Sequence, residues 1–260
     1  MLKTIHDPTL QKIQNIQHAF FTRHGGVSTG YYASLNCSYA GHDEPKHIEE
    51  NRRRAMLHLG YRPEQLMSVK NVHGCEVKFV DESWLAYSKP ETEIADAMVT
   101  TQTGILLGSD SADCPIVLLA DEEAKVVGLA HAGWRSARLG VIENTLQAMM
   151  ALGANLKDLS AVIGPCITQD SYEIDLKFYL QFLDDNKENK CYFKPALRAD
   201  HFFFDLKNYV YNRLSAFHLK SVTAIDLDTY RNEEYFFSCR RAYHQGDLDF
   251  GGHLSCIGLK

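Results

Sequence analysis

The sequence predicts a mixed-sheet α/β or α+β fold. Short apolar runs fill the middle of the chain, as in buried strands, and amphipathic helical segments flank them. Because these elements do not alternate regularly between strand and helix, a mixed sheet fits better than a doubly wound parallel one. The chain has 260 residues without an internal repeat or a linker of biased composition, so we expect one domain over residues 1–260.

The first half of the chain contains most of the predicted strands. Ile16–Thr22 is the first of them and runs into a glycine-containing turn. Glu44–Leu59 is predicted as a helix, because Pro45 stands near its start and Gly60 just past its end. Short apolar runs then predict a series of strands at Leu66–Val69, Val77–Val80, Ala97–Thr100, Ile105–Leu107, Ile116–Ala120 and Val126–Ala130.

The second half is richer in helices. A long helix is predicted over Ser136–Leu152, where Gly153 provides a terminating residue. Leu159–Ile163 follows as a strand. The remaining elements are two amphipathic helices and a late strand, at Leu176–Asp184, Phe204–Phe217 and Ser221–Ile225.

Composition limits the partners and the compartment. The formal net charge is -6, so there is no basic excess to attract nucleic acid or an anionic membrane. No apolar stretch approaches the roughly 18 residues that a membrane-spanning helix needs, and no apolar signal-peptide core follows the first methionine. The seven cysteines are odd in number and scattered, which favours free thiols in a reducing, cytoplasmic setting.

Three residues at the ends of predicted strands form the strongest candidate site. His73 follows one strand, Cys114 precedes another, and His131 ends a third. Because strand ends meet at an edge of a sheet, we expect the three side chains to converge there. Two imidazoles and a thiolate suit Zn²⁺, and three protein ligands leave a fourth position open, as in catalytic zinc sites.

Other interpretations of the same residues remain open at this stage. The spacing matches no local zinc motif, so Cys114 could be a small buried hydrophobe and the histidines could be hydrogen-bonded core residues. Cys114 could also be a nucleophile with His73 or His131 as its base. Asp113 could orient that base, although neighbours in a strand point to opposite faces, and a supporting role is as well favoured.

Several familiar catalytic motifs are missing. Pro165-Cys166 lacks the second cysteine that a zinc deaminase would need, and H-E-x-x-H is absent. There is no G-x-G-x-x-G, no P-loop and no G-x-S-x-G elbow. No two histidines are separated by one residue, so the chain has no H-x-H pair to help build a multicopper centre.

Two arginines are candidates for binding an anionic group of a substrate. Arg23 stands beside Gly25-Gly26, where backbone N–H groups could line an anion pocket. Arg135 precedes a predicted helix, where an anion is also favoured. Either guanidinium could hold phosphate or a carboxylate, and either could equally form a structural salt bridge.

Many ordered segments together make this chain resemble the YfiH/laccase-domain family, also called polyphenol oxidase or multicopper-oxidase-like. The resemblance covers most of the chain. Its segments are Phe21-Thr22-Arg23-His24-Gly25-Gly26-Val27-Ser28, Tyr32-Ala33-Ser34-Leu35-Asn36, Glu50-Asn51-Arg52, Val72-His73-Gly74, Ala95-Asp96-Ala97-Met98-Val99-Thr100, Ala112-Asp113-Cys114-Pro115, His131-Ala132-Gly133-Trp134-Arg135, Ile163-Gly164-Pro165, Tyr172-Glu173 and Phe236-Phe237-Ser238.

The resemblance implies mixed sheets sandwiched between helices, similar in shape to cysteine-hydrolase-like toxins. It implies a metal site on His73, Cys114 and His131, with zinc as the metal and copper as the other possibility. It implies a purine nucleoside phosphorylase that uses adenosine, inosine or methylthioadenosine with phosphate, and that deaminates adenosine. A peptidoglycan-precursor editing hydrolase and a copper polyphenol oxidase are the alternatives, and the chain would act as a monomer or homodimer.

The chain departs from the family pattern in three places. Asn71 stands where the family usually has Gln, and Ser136 stands where it usually has Gly. The C-terminal segment Cys239-Arg240-Arg241-Ala242-Tyr243-His244 differs most. These departures put the C-terminal edge of the pocket, and hence substrate choice, in question.

Overall fold

The structure, a computed structural model, describes residues 1–86 and 93–260. Within these residues the strands are β1 (Thr4–Ile5), β2 (Ile16–Phe21), β3 (Leu66–Met67), β4 (Val77–Phe79), β5 (Ala97–Thr100), β6 (Leu106–Ser111), β7 (Ile116–Asp121), β8 (Val126–His131), β9 (Leu159–Ile163), β10 (Glu173–Asp175), β11 (Phe193–Pro195), β12 (His201–Phe204), β13 (Ser221–Ala224) and β14 (His253–Leu259). The helices are α1 (Pro8–Gln11), α2 (Pro45–His58), α3 (Trp134–Leu139), α4 (Val141–Ala151), α5 (Leu176–Asp185), α6 (Leu206–Ser215) and α7 (Cys239–Gln245).

Two large sheets form the centre of the molecule. One has the strand order β1-β2-β14-β6-β3, and the other has the order β13-β9-β7-β8-β5-β4. Each combines parallel and antiparallel pairs, since β3 runs parallel to β6 while β14 runs antiparallel to it, and β13 runs parallel to β9 while β7 runs antiparallel. The predicted mixed-sheet fold is therefore confirmed. A small third sheet, β10-β12-β11, lies outside these two.

The two sheets pack face to face, and helices cover their outer faces. Alternation along each strand sends successive side chains to opposite faces, and both faces are buried. Leu107 and Ile257 of the first sheet share one apolar core with Leu118 and Leu129 of the second, and we call this layer the inter-sheet core. On the outer faces, α2 packs against the first sheet and α4 and α6 pack against the second, whereas α5 packs against the small third sheet.

The helix predicted over Ser136–Leu152 is wrong in its bounds and its continuity. It begins earlier, at Trp134, and it is divided into α3 and α4 by Gly140. Gly140 has a φ of 95°, in the left-handed region that favours glycine, so it ends α3 and begins α4. None of the helices in the two described ranges is long and apolar enough to cross a membrane.

Two strand segments that contain polar residues are not predicted by the sequence pattern. The run predicted as Ile105–Leu107 belongs to a strand that continues to Ser111, through Gly108, Ser109 and Asp110, which carry no apolar pattern. The strand β14 was not predicted at all, yet it pairs with both β2 and β6 in the middle of its sheet. Each of these segments is part of a strand that pairs with neighbouring strands on both sides. Their residue types alone do not predict a strand.

Candidate metal centre

His73, Cys114 and His131 lie together. One ligand atom from each, an imidazole nitrogen or the sulfur, falls within 4.8 Å of the others. Within residues 1–86 and 93–260, this is the group of histidine, cysteine and acidic side chains that is placed to hold a metal ion. His131 is buried, whereas the histidine and cysteine beside it are partly exposed, so the group can be reached from outside.

Both large sheets contribute residues to this cluster. The sequence predicts instead that the three residues meet at one edge of a single sheet. His131 ends β8 and is paired with Ile116 of β7, so Cys114, two residues before Ile116, lies at the same end of that sheet. His73 comes from the loop between β3 of the first sheet and β4 of the second. The cluster therefore forms where the chain crosses between the sheets.

The buried carboxylate of Asp96 connects two of the ligands. It is fully buried, and its Oδ1 lies 3.0 Å from Nδ1 of His131. The same carboxylate accepts hydrogen bonds from the backbone N–H groups of Val72, His73 and Gly74 at 3.2, 2.9 and 2.6 Å. With the Nδ1 proton of His131 held by the carboxylate, Nε2 is left as the ligand atom, as in many metal-binding histidines.

Asp96 is not among the site residues predicted from the sequence. It lies inside one of the segments that carry the family resemblance, directly before β5. An acidic residue directly before a mostly apolar strand is the signal that could have identified it, because a buried carboxylate needs partners. Although burial opposes its charge, the bonds from His131 and from the Gly74 N–H lower the pKa of this carboxyl.

The electrostatics of the cluster differ between its two histidines. Burial opposes the charged form of His131, but the adjacent Cys114 sulfur and the Asp96 carboxylate outweigh it and raise the pKa of His131 to about 10. Burial, followed by the neighbouring His131, lowers the pKa of His73. The cluster therefore attracts positive charge, and without a metal ion a proton on His131 supplies it.

Gly133 allows the ligands to approach one another. A Cβ at this position would lie 2.9 Å from the Cys114 sulfur and 2.9 Å from Nδ1 of His73. Real Cβ atoms do not come that close to other heavy atoms, so any side chain here would displace a ligand. The backbone of His73 has a φ of 58°, which is uncommon for a residue other than glycine and which the Asp96 hydrogen bonds hold in place.

Asp113 supports the fold and does not orient a histidine. Its carboxylate accepts hydrogen bonds from Thr229 Oγ1 at 2.7 Å, from Ser238 Oγ at 2.9 Å and from the Arg240 backbone N–H at 2.7 Å. All three donors belong to the C-terminal part of the chain. Asp113 thus connects that part of the chain to the loop that carries Cys114.

The two arginines proposed from sequence lie in different places. Arg135 is exposed, its guanidinium lies 4.9 Å from the ring centroid of Trp134, and its charge contributes to the lowered pKa of His73. Arg23 instead lines a separate cavity of about 160 Å³ whose lining includes none of the three clustered residues. Its Nε and Nη1 donate to the carbonyl oxygens of Ala33 and Glu233.

Tyr172 lies near Cys114, and Arg240 from the C-terminal part of the chain packs on its ring. Arg240 lies 5.0 Å from the centroid of the Tyr172 ring and donates to the carbonyl oxygen of Glu173. Burial, and then the nearby Cys114, raise the pKa of Tyr172. The aromatic ring of Tyr172 also contacts Phe178, which packs against Trp134, so one aromatic group extends around the cluster.

Residues 17–260 match the family model described as multi-copper polyphenol oxidoreductase laccase. The chain belongs to this family. Over its whole length it is also similar to a solved Neisseria meningitidis protein of the DUF152 family, with a TM-score of 0.85, 27% identity, and coverage of 100% of this chain and 99% of that one. The YlmD structure from Geobacillus stearothermophilus gives a TM-score of 0.84 at 25% identity over 95% of this chain and 93% of that one.

Relatives of known name indicate enzymes. A protein named purine nucleoside phosphorylase from Rickettsia conorii is 36% identical over 213 residues, which cover 82% of this chain and 85% of the relative. A protein named adenosine deaminase RL5, from an unknown prokaryotic organism, is 33% identical over 60% of this chain and 62% of its own length. The family and fold expected from the sequence motifs are confirmed.

Replacing Asp96 by Asn should lower zinc affinity about 10–100-fold, because the amide no longer fixes His131 and the 72–74 loop. The raised pKa of His131 means that zinc must displace a proton below about pH 10, so zinc affinity should rise with pH. Asp96→Asn should weaken that rise, because the pKa of His131 falls when the carboxylate is lost. Calorimetry in buffers of different ionisation enthalpy measures both quantities.

The control is Asp121→Asn. Asp121 is another fully buried carboxylate, at the far end of β7, and it accepts the backbone N–H groups of Ala124 and Asn155. Its loss should reduce stability but leave zinc affinity unchanged. Equal zinc affinity in wild type and Asp96→Asn would contradict the role given to Asp96.

Gly133→Ala should weaken metal binding strongly while the protein remains folded, because the new methyl group displaces Cys114 or His73. Gly74→Ala is the matched control, since a Cβ there would lie 3.5 Å from its nearest neighbour, an oxygen of Asp96, in ordinary contact. Metal content after gel filtration, together with circular dichroism, compares the two variants. If Gly133→Ala retained wild-type metal content, the close packing would not control the site.

Proposed function

We propose that this chain is a zinc-dependent purine nucleoside phosphorylase that cleaves adenosine, inosine and methylthioadenosine with phosphate and also deaminates adenosine. We further propose that it acts as one domain over residues 1–260 in the cytoplasm. The observation that carries the proposal is the cluster of His73, Cys114 and His131, partly open to the outside. The names of the relatives supply the substrate class.

The donor set fits zinc. Two imidazole nitrogens and a thiolate are borderline and soft ligands, and a third protein ligand completes the number found in catalytic zinc sites. His73, Cys114 and His131 would hold the ion, with copper as the other metal that these donors accept. When bound, zinc would supply a Lewis acid to a substrate oxygen or to water.

The position of Arg135 supports the proposal that phosphate binds beside the cluster. Arg135 is exposed beside His73 and forms no ion pair with any residue in the described ranges, so its guanidinium is available to an anion. Packing on Trp134 restricts its side chain, which reduces the conformational entropy lost when an anion binds. Phosphate held there would lie next to the cluster, as attack on a bound nucleoside requires.

A second candidate function rests on the order Cys114, His131, Asp96. The Cys114 sulfur lies within hydrogen-bonding reach of His131, whose Nδ1 faces the Asp96 carboxylate. A nucleophile, a base and a group that orients the base also describe a cysteine hydrolase. Such an enzyme could edit peptidoglycan precursors without a metal ion.

The deciding experiment incubates protein of measured metal content with adenosine and with inosine, with and without phosphate. We expect phosphate-dependent release of adenine or hypoxanthine, together with inosine from adenosine. A chelator and the Cys114→Ala substitution should each remove both the metal and the activity.

Two results would overturn the zinc proposal. Full nucleoside cleavage by metal-free Cys114→Ala would show that the cluster is not needed. Activity that survives chelation but is lost on alkylation of the thiol would instead favour the cysteine hydrolase.

Arg135→Met should raise the KM for phosphate about tenfold or more and leave the KM for the nucleoside nearly unchanged, because a charge-assisted hydrogen bond to an anion is lost. Arg138→Met is the control, since Arg138 lies on the same helix but is paired with Asp185. Steady-state kinetics at varied phosphate concentration measure the difference. Equal KM values for phosphate in the wild type and Arg135→Met would place the phosphate elsewhere.

A further inference from the structure

The metal-binding residues face the space between the two sheets. Ile116 and His131 are paired directly opposite each other on β7 and β8, so their side chains lie on the same face of the sheet. Ile116 belongs to the inter-sheet core, and His131 therefore also points toward the other sheet. The cluster thus lies at the end of the inter-sheet core.

At this end, the face of the first sheet that lies opposite the cluster is polar, and we call this part of β6 and β14 the polar wall. On β6 and β14, the pair Leu107 and Ile257 belongs to the inter-sheet core. The next pairs on that same face are Ser109 with Ser255 and then Ser111 with His253. Because β6 leads through the Cys114 loop into β7, these polar pairs lie at the end that holds the metal ligands. An apolar wall therefore becomes a polar one there.

Several atoms in or beside the polar wall have no hydrogen-bond partner. Within the described residues, Ser111 Oγ, both ring nitrogens of His253 and Asn71 Oδ1 are buried and unpaired. The exposed fraction of His253 is 1% and that of Ser111 is 6%. Buried polar atoms are nearly always satisfied in native proteins, so four of them at one place indicate a group that binds there.

The same residues adjoin the metal-ligand loops. Asn71 lies two residues before His73, and its Nδ2 donates to Ser109 Oγ at 2.8 Å. Ser111 ends the strand that leads to Cys114. Asn71 and Ser111 are therefore close in the chain to His73 and Cys114, and His253 is paired with Ser111 on the neighbouring strand.

The chemistry of this wall suits hydroxyl groups. Burial, and then the nearby Arg23 and Arg241, lower the pKa of His253 to about 3, so its ring is neutral with one donor and one acceptor. A serine hydroxyl and an amide oxygen complete a set of neutral groups. A sugar hydroxyl both donates and accepts, as this set of neutral donors and acceptors requires.

We propose that Ser111, Asn71 and His253 form a subsite that binds the ribose hydroxyls of the nucleoside. This inference rests on the proposed function and deepens it, because it assigns the sugar to the inner wall and leaves the phosphate to the exposed Arg135. It also explains why polar atoms remain unpaired between two otherwise apolar sheets.

The test compares adenosine with 2′-deoxyadenosine and 3′-deoxyadenosine on wild type and Ser111→Ala. In the wild type, kcat/KM should favour adenosine over at least one deoxy analogue by about tenfold or more, and Ser111→Ala should remove that preference. The melting temperature of the ligand-free Ser111→Ala protein should stay the same or rise, because an unpaired buried hydroxyl is removed. Ser160→Ala is the control: Ser160 is a buried serine at the far end of the six-stranded sheet, opposite Ala120.

A second variant, His253→Leu, keeps the test valid if Ser111→Ala does not fold, and calorimetry with adenosine measures binding apart from turnover. If the wild type binds adenosine more tightly than the deoxy analogues but cleaves none of them, the proposed reaction fails while the subsite stands. If Ser111→Ala and His253→Leu keep the wild-type preference for the hydroxyl, or change only the discrimination between adenosine and inosine, the subsite is wrong. Absence of any nucleoside binding by the wild type would also overturn it.

Discussion

The site depends on one buried carboxylate. Asp96 accepts hydrogen bonds from three consecutive backbone N–H groups of the loop that carries His73, and it faces the imidazole of His131. A buried charge without such partners is costly. The buried carboxylate is therefore stable only while these donors bond to it. Through this one group, a loop that leaves the first sheet is held against a strand end of the second. The relative positions of His73 and His131 follow from that connection.

The packing of the two sheets explains why the site is where it is. Apolar side chains fill the space between the sheets along most of its length, and at one end the loops cross from sheet to sheet. Crossing loops cannot continue the regular strand pairing, so their backbone and side-chain polar groups need other partners. At that end the chain places Cys114 and His131 on one wall and Ser111 and His253 on the other. Chemistry is concentrated where the core can no longer be apolar.

The C-terminal segment is joined to the site by Asp113. Its carboxylate accepts hydrogen bonds from Thr229, Ser238 and the backbone of Arg240, so this part of the chain is fixed to the residue beside Cys114. Arg240 then lies over Tyr172. The surroundings of the cluster therefore depend on this segment as well as on His73, Cys114 and His131.

Local pattern alone determined most helices and apolar strands, and ordered motifs identified His73, Cys114 and His131 as one candidate site. Tertiary structure alone decided that these residues come from two sheets and that Asp96 connects His73 to His131. It decided as well that Arg23 lies in a separate cavity while Arg135 lies beside His73. It also decided that β14 and the polar end of β6 are strands. The physical reason is that local periodicity reflects which face of an element is buried, whereas pairing between distant segments depends on contacts that no short stretch of sequence contains.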